Sequence, residues 1–217
     1  MDQENPAGSS LVISYLELRK AVGYLGIALP FVVAFGALLL QGLGIQGSIS
    51  SYYHTEMHDV FVGILCAIGV FMGSYRGYER KDALAGNLAC IFAVGVALFP
   101  TAPDNATSHE KTIAVIHAVS ASLFFLTISY FALFQFTKTD PSKTPTRKKH
   151  QRNTVYRICG YTMLTALALI FVYSMAPDNA VAGLKKFQPV FWFEAIAIEA
   201  FGVAWMTKGE AILKDEI

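Results

Sequence analysis

The sequence predicts an all-α integral membrane protein: a polytopic bundle of six transmembrane helices with both termini in the cytoplasm. The mean hydropathy is +0.45, and only 15% of the 217 residues are charged, whereas soluble domains carry about 25% charged residues. The apolar residues form six long runs separated by short polar stretches, a pattern typical of membrane-spanning bundles. The basic residues are distributed unevenly among the connecting segments, as the positive-inside rule describes.

The six runs form a single membrane domain over residues 1–217, with spans predicted at about residues 21–40, 57–75, 83–100, 112–136, 155–175 and 189–206. A helix rises 1.5 Å per residue, so a run of about 20 residues crosses a hydrocarbon core of about 30 Å. The first run follows Arg19 and Lys20 and contains Pro30, which a membrane bundle tolerates. The second run is short, so its helix is expected to begin upstream of Val60.

The remaining runs are delimited by clearer signals. Pro100 ends the third run, and the fourth is the longest. Residues 138–153 follow it and are rich in Pro, Ser and like charges, which predicts an irregular loop. The fifth and sixth runs flank a polar stretch that repeats the letters APDNA, seen earlier at residues 102–106.

The basic residues set the predicted orientation. Of the 17 Lys and Arg residues, three lie in segments assigned to the outside, namely Lys111, Lys185 and Lys186. The other 14 lie in the segments assigned to the cytoplasm. This imbalance favours six spans and an inner, plasma-membrane location of the bacterial type. The expected partner is membrane lipid. The basic segment 147–152 fits a cytoplasmic topology signal, and we expect no nucleic-acid partner.

The polar stretch at residues 47–59, GSISSYYHTEMHD, is the first candidate site because it has two histidines and two carboxylates but no Lys or Arg. If this stretch is helical, Ser50, His54 and His58 share one face, and two histidines spaced in this way can bind one metal ion. Asp59 then serves as a third ligand or orients an imidazole. The alternatives are a hydrogen-bonded polar network or interfacial polar cap, and side chains that are exposed in a loop. Tyr53 is expected at the level of the lipid headgroups.

Ionisable residues inside the predicted spans join this stretch. His117 lies near the outer end of the fourth span and Glu194 near the outer end of the sixth. Such residues are costly in a membrane and usually face the bundle interior or a wet cavity. Glu199 lies deeper, on another helical face, and Asp104 lies in an outer loop. We therefore expect an outward-facing polar pocket formed by Ser50, His54, His58, Asp59, His117 and Glu194.

Three segments resemble a known family. The segments SISSYYH, NLACIFAVGVALFPTAP and IHAVSASLFF are similar to the DUF998 and Frag1/DRAM/Sfk1 group of six-span membrane proteins. That resemblance implies a six-span fold and a connection with lipids. In addition, Ser50, His54 and Asp59 resemble the zinc motif of the CREST membrane hydrolases, which include alkaline ceramidases. This second resemblance implies zinc-dependent hydrolysis. The chain departs from the CREST pattern in having six predicted spans rather than seven and no HxxxH motif in the last span.

Three functions stay open at this point. The first is binding of a lipid headgroup or small ligand by the polar pocket, with the ligand-binding residues Ser50, Tyr53, Asp104 and His117. The second is hydrolysis of a lipid amide or ester, with water activated by a zinc ion on His54, His58 and His117. In that mechanism Asp59 or Glu194 acts as the catalytic base. The third is a proton- or ion-coupled transporter or channel that uses His117, Glu194 and Glu199.

Overall fold

The computed structural model describes residues 15–75, 80–103, 105–139 and 144–214. These described residues form six long helices: α1 (Tyr15–Gln41), α2 (His58–Gly73), α3 (Arg80–Leu98), α4 (Ser108–Tyr130), α5 (Arg147–Met175) and α6 (Pro189–Lys208). A π-helical turn, Phe131–Gln135, extends α4. Shorter helical turns lie at Ser50–His54, Asp178–Val181 and Lys185–Phe187. The described residues contain no β-strand.

Five of the long helices are long and apolar enough to cross a membrane, namely α1, α3, α4, α5 and α6. Helix α2 is also apolar but has only 16 residues. Many large apolar side chains point outward, and Phe35, Leu39 and Phe171 are each more than 60% exposed. Outward-facing apolar surface of this extent is suited to lipid rather than to water. The predicted all-α integral membrane protein is confirmed at this level.

The six long helices pack as a closed ring. Helix α1 contacts both α2 and α6, and each helix from α2 to α5 contacts the next one in the chain, with α5 closing onto α6. Helix α4 also reaches α6, where the rings of Phe124 and Phe201 lie 5.9 Å apart. We call the end of the ring that carries residues 42–57 the loop end. The opposite end, where α5 begins and α6 finishes, is the basic end.

The core of the ring is apolar and contains both small and large side chains. Ala37, Ala93 and Ile68 are completely buried. Towards the basic end, the ring of Trp205 packs edge-on against Phe136 at a centroid distance of 5.1 Å and against Tyr75 at 5.6 Å. Such edge-to-face aromatic pairs stabilise beyond the area that they bury. This packing holds the polar and charged residues of the two ends at fixed positions.

The start of α5 corrects one expectation. Residues 147–153 were expected in an irregular loop, but they form the first two turns of α5. Thr146 has an extended backbone and its side-chain oxygen accepts a hydrogen bond from the Lys149 N–H, which is a typical N-cap. Lys, Arg and Gln are good helix formers. The cap and these propensities therefore outweigh the repulsion between the like charges.

Candidate functional site

Glu194 connects α6 to the 42–57 segment. Its Oε2 accepts hydrogen bonds from the backbone N–H of Ile49 at 2.7 Å and of Ser50 at 3.4 Å. These two N–H groups stand at the start of the 3-10 helix Ser50–His54, where they have no partner within the helix. A second link joins the Phe191 N–H to the Gly47 carbonyl at 3.2 Å. The carboxylate therefore caps this short helix and fixes the segment onto α6.

The 42–57 segment is also bonded internally. The Oγ atoms of Ser48 and Ser51 lie 2.7 Å apart, and the Ser48 Oγ also accepts from the Ser51 N–H. Tyr52 is completely buried, and its hydroxyl accepts a hydrogen bond from the Gln46 N–H at 3.3 Å. Burial raises the pKa of the Tyr52 phenol. The segment is thus a packed plug over the loop end rather than an open loop.

Two histidines bind the backbone that follows α3. The Nε2 of His54 lies 2.8 Å from the Thr101 carbonyl oxygen, and the Nδ1 of His117 lies 2.6 Å from that of Phe99. Pro100 stands between these residues and cannot continue the helix, so carbonyl groups at the end of α3 need donors from elsewhere. The imidazoles of His54 and His117 supply those donors from two different elements. Both contacts resemble the hydrogen-bonded polar cap considered from the sequence.

The other predicted residues of the stretch lie near the surface. The Nδ1 of His58 is 2.8 Å from Asp59 Oδ1, and the Asp59 side chain is almost fully exposed. The ring of Tyr53 packs edge-on against His58 at a centroid distance of 4.3 Å. His54 belongs to the 3-10 helix and His58 starts α2, with residues 55–57 between them. The continuous helix on which the shared-face argument depended is therefore not formed.

The structure brings only part of the predicted pocket together. Ser50 and Glu194 line a cavity of about 40 Å³ that is otherwise apolar, and a space of this size takes water molecules but no lipid headgroup. Among the described residues, no three His, Cys, Asp or Glu side chains are grouped so that they could hold a metal ion. Asp104 lies outside the described residues. Zinc ligation by His54, His58 and His117 stays a prediction.

A much larger cavity lies on the side of the bundle, between α1, α5 and α6. We call it the lateral groove. It has a volume of about 710 Å³, and its lining includes Phe31, Phe35, Ile158, Thr162, Trp192 and Glu199. Most of these side chains are apolar, and Phe31, Phe35, Ile158 and Trp192 are each about half exposed or more. The groove therefore faces the region that the lipid chains occupy.

Glu199 contributes a carboxyl group to the lining of the lateral groove. Its Oε1 is buried and has no hydrogen-bond partner among the described residues. Sequence reasoning located Glu199 inside a span but did not find the groove, because the groove depends on how α1 and α5 flank α6. One signal was present: Glu199 lies four residues after Ala195 and seven after Trp192, so the three share a helical face. On this face of α6, the sequence pattern predicts lipid-exposed apolar side chains and a single carboxyl group, that of Glu199.

The chain matches no protein-family model, no curated protein and no solved structure. The family resemblances drawn from the short motifs therefore remain predictions.

Proposed function

We propose that the protein is a six-span plasma-membrane protein of the bacterial inner-membrane type, with both termini in the cytoplasm, that binds an amphipathic lipid in the lateral groove. The position of α2 in the ring supports the sixth span, because α2 lies between α1 and α3 and contacts both. The distribution of Lys and Arg supports the orientation. A reporter enzyme active only outside the cytoplasm should be inactive when fused after Ile217.

The lateral groove with Glu199 is the observation that carries the lipid proposal. Its volume of about 710 Å³ falls within the range of about 300–1,000 Å³ that is usual for small-molecule sites. Its walls are aromatic and aliphatic, so they favour a hydrocarbon chain. Because the groove opens along the side of the bundle, a lipid can enter it from the bilayer without passing through water.

The carboxyl group of Glu199 gives the site its polar end. A buried oxygen without a hydrogen-bond partner is costly in an apolar environment. A ligand with an N–H or O–H group at the matching depth removes this cost by donating to Oε1. Thr162 lines the same groove, and its hydroxyl group is a candidate second polar contact for the head of the ligand. The expected ligand is therefore an amphiphile with a hydrogen-bond donor in its head group.

The loop end supports this choice indirectly. Its polar side chains bind backbone groups of the protein, as shown for Glu194 at Ile49 and for His117 at Phe99. These bonds occupy one ring nitrogen of His117 and one carboxylate oxygen of Glu194, two groups that the hydrolase and transporter hypotheses assign to chemistry. The lateral groove, in contrast, offers both space and a carboxyl oxygen that still needs a donor. The described residues give the other two functions no comparable support.

Filling the groove tests the proposal. Ala195 lines it, so Ala195→Trp places an indole where the lipid chain would lie. Ala118→Trp on α4 is the matched control, because Ala118 is exposed outside the groove. Both variants and the wild type are purified in the same detergent, and the retained lipid is quantified by mass spectrometry. We expect about a tenfold loss of one lipid class in Ala195→Trp. Equal retention in all three proteins contradicts the proposal.

A second pair of variants tests the head-group contact. Glu199→Leu removes the acceptor, and Glu199→Gln keeps an acceptor oxygen at nearly the same place. Loss of one hydrogen bond of about 1–1.5 kcal/mol corresponds to roughly tenfold weaker binding. We therefore expect the retained lipid to fall in Glu199→Leu and to remain largely in Glu199→Gln. If Glu199→Leu retains the same lipid as the wild type, the groove binds a hydrocarbon chain but Glu199 does not recognise its head.

A further inference from the structure

A second groove runs along the exposed face of α5, beside the lateral groove. We call it the α5 groove. Its volume is about 590 Å³, and its lining includes Thr154, Arg157, Tyr161 and Thr165 of α5 with Phe193 and Ile196 of α6. The four polar residues of α5 recur every three or four positions, so they share one helical face. Ile158, Thr162 and Ile196 line both cavities, and the two grooves therefore adjoin.

Arg157 lies near the membrane boundary at the basic end. It precedes Met175, the last residue of α5, by 18 residues, which is about 27 Å along the helix axis. Because a hydrocarbon core is about 30 Å thick, Arg157 lies just inside one edge of the core when Met175 lies at the other edge. Helical side chains point towards the N-terminus of their own helix, which for α5 is the basic end. The guanidinium of Arg157 thus reaches the level of the lipid headgroups.

The charge of Arg157 has no partner within the described residues. Arg157 is exposed and makes neither a hydrogen bond nor an ion pair there. The described residues that line the α5 groove include no Asp and no Glu. A charged residue that faces lipid is costly unless it reaches water or an anion at the membrane surface. An anionic headgroup is therefore the partner that this face of the bundle leaves open.

Hydroxyl groups accompany Arg157 on the same face of α5. The Oγ1 of Thr154 donates to the His150 carbonyl at 3.2 Å, so it offers lone pairs only. The hydroxyl groups of Tyr161 and Thr165 make no hydrogen bond within the described part of the chain, and each can donate to an ester or phosphate oxygen. The α5 groove thus has a cation at the headgroup level and hydrogen-bond donors one and two turns deeper in the membrane.

We propose that the α5 groove binds an anionic phospholipid, with its phosphate group on Arg157 and one acyl chain along α5 towards Leu169. The guanidinium fork matches two phosphate oxygens. From Arg157 to Leu169, which also lines the groove, the helix rises about 18 Å, close to the half-thickness of about 15 Å of a hydrocarbon core. A zwitterionic lipid also has a phosphate, but its ammonium finds no carboxylate among the described lining residues. This inference depends on neither Glu199 nor the lateral groove, so it stands or fails separately from the proposed function.

Native mass spectrometry of the full chain in a neutral detergent tests the proposal. The delipidated protein is titrated with dioleoyl phosphatidylglycerol and, separately, with dioleoyl phosphatidylcholine. We expect a site that binds phosphatidylglycerol about tenfold more tightly, and equal binding of the two lipids overturns the proposal. Inorganic phosphate should displace the lipid no better than chloride at the same ionic strength, because the acyl chain contributes to binding. Specific displacement by inorganic phosphate overturns the assignment to a lipid.

Three variants connect the bound lipid to Arg157. Arg157→Gln changes an exposed residue, so the variant should fold, and its affinity for phosphatidylglycerol should fall about tenfold. Arg157→Lys keeps the charge but lacks the guanidinium fork, so its affinity should lie between those of Arg157→Gln and the wild type. Arg147→Gln is the matched control, because Arg147 is exposed at the start of α5 and does not line the groove. Equal affinity loss in Arg157→Gln and Arg147→Gln indicates a general attraction between charges and overturns the proposal.

A fourth variant separates the two grooves. Ala195 lines the lateral groove but not the α5 groove, so Ala195→Trp should bind phosphatidylglycerol as tightly as the wild type. If Ala195→Trp loses this lipid and Arg157→Gln retains it, the lipid lies in the lateral groove and the inference about Arg157 is wrong.

Discussion

Helices α1 and α6 approach each other closely at a glycine pair, Gly23 and Gly202. A Cβ atom added to Gly202 of α6 would lie 2.5 Å from the Cγ1 of Ile27, 2.9 Å from the carbonyl oxygen of Gly23 and 3.1 Å from the Ile27 amide nitrogen. Two of these three atoms belong to the backbone of α1, so they cannot rotate away. We expect Gly202→Ala to force α1 and α6 apart along the face that also borders the lateral groove.

The size of the effect follows from two opposing terms. Replacing a helical glycine by alanine favours the helix by about 0.5–1 kcal/mol. Inserting a methyl group into a well-packed contact costs about 1–3 kcal/mol, and the backbone contacts place Gly202 towards the upper end of that range. Gly63 of α2 is the matched control, since a Cβ added there meets nothing within 4 Å. The stability of Gly63→Ala should therefore change only by the gain in helix stability that comes from replacing glycine by alanine.

The comparison of the two variants isolates the packing term. Unfolding of each variant by increasing mole fractions of a denaturing detergent is followed by far-ultraviolet circular dichroism. We expect Gly202→Ala to be less stable than Gly63→Ala by about 2–3 kcal/mol, the cost of overpacking. The reasoning is refuted if the two variants are equally stable, because the close contact between α1 and α6 would then be absent in the folded protein.

Three further predictions concern helix caps and side chain–backbone hydrogen bonds near the loop end. Glu194→Leu should destabilise the protein by about 2 kcal/mol, because two buried N–H groups lose their acceptor, whereas Glu194→Gln keeps one and should cost less in the same unfolding assay. His117→Phe should leave the Phe99 carbonyl without its donor and increase amide hydrogen exchange in residues 99–103. Thr107→Ala removes the N-cap of α4 and should lower its stability by about 1 kcal/mol, measured by thermal unfolding.

Much of the helical architecture could be predicted from the sequence because hydropathy depends on local composition. The apolar runs mark the helices well, and five of them are long and apolar enough to span a membrane. The ends are less predictable. Helix α5 begins at Arg147 inside a strongly basic segment, since a single cap at Thr146 decides its start. Caps depend on the backbone angles of one residue, which composition does not report.

The candidate site was harder to predict because it depends on which helices are neighbours. Helical spacing suggested that His54 and His58 share a face, but the chain changes from a 3-10 turn to α2 between them. The sequence correctly marked Glu194 and His117 as polar groups inside the bundle, yet it could not show that each binds a backbone group. The lateral groove depends on the packing of α1 and α5 against α6, and no local pattern encodes that arrangement.

The polar groups of the bundle fall into two classes that have different consequences. Glu194 and His117 bind backbone atoms that need partners at helix ends, so their substitution should first reduce stability. The Oε1 of Glu199 has no such partner within the described residues, and keeping that oxygen there costs the folded protein free energy. A group that is retained at such a cost is best explained by a ligand that removes the cost on binding. Substituting Glu199 by an apolar residue should therefore reduce ligand binding while leaving the folded protein as stable or more stable.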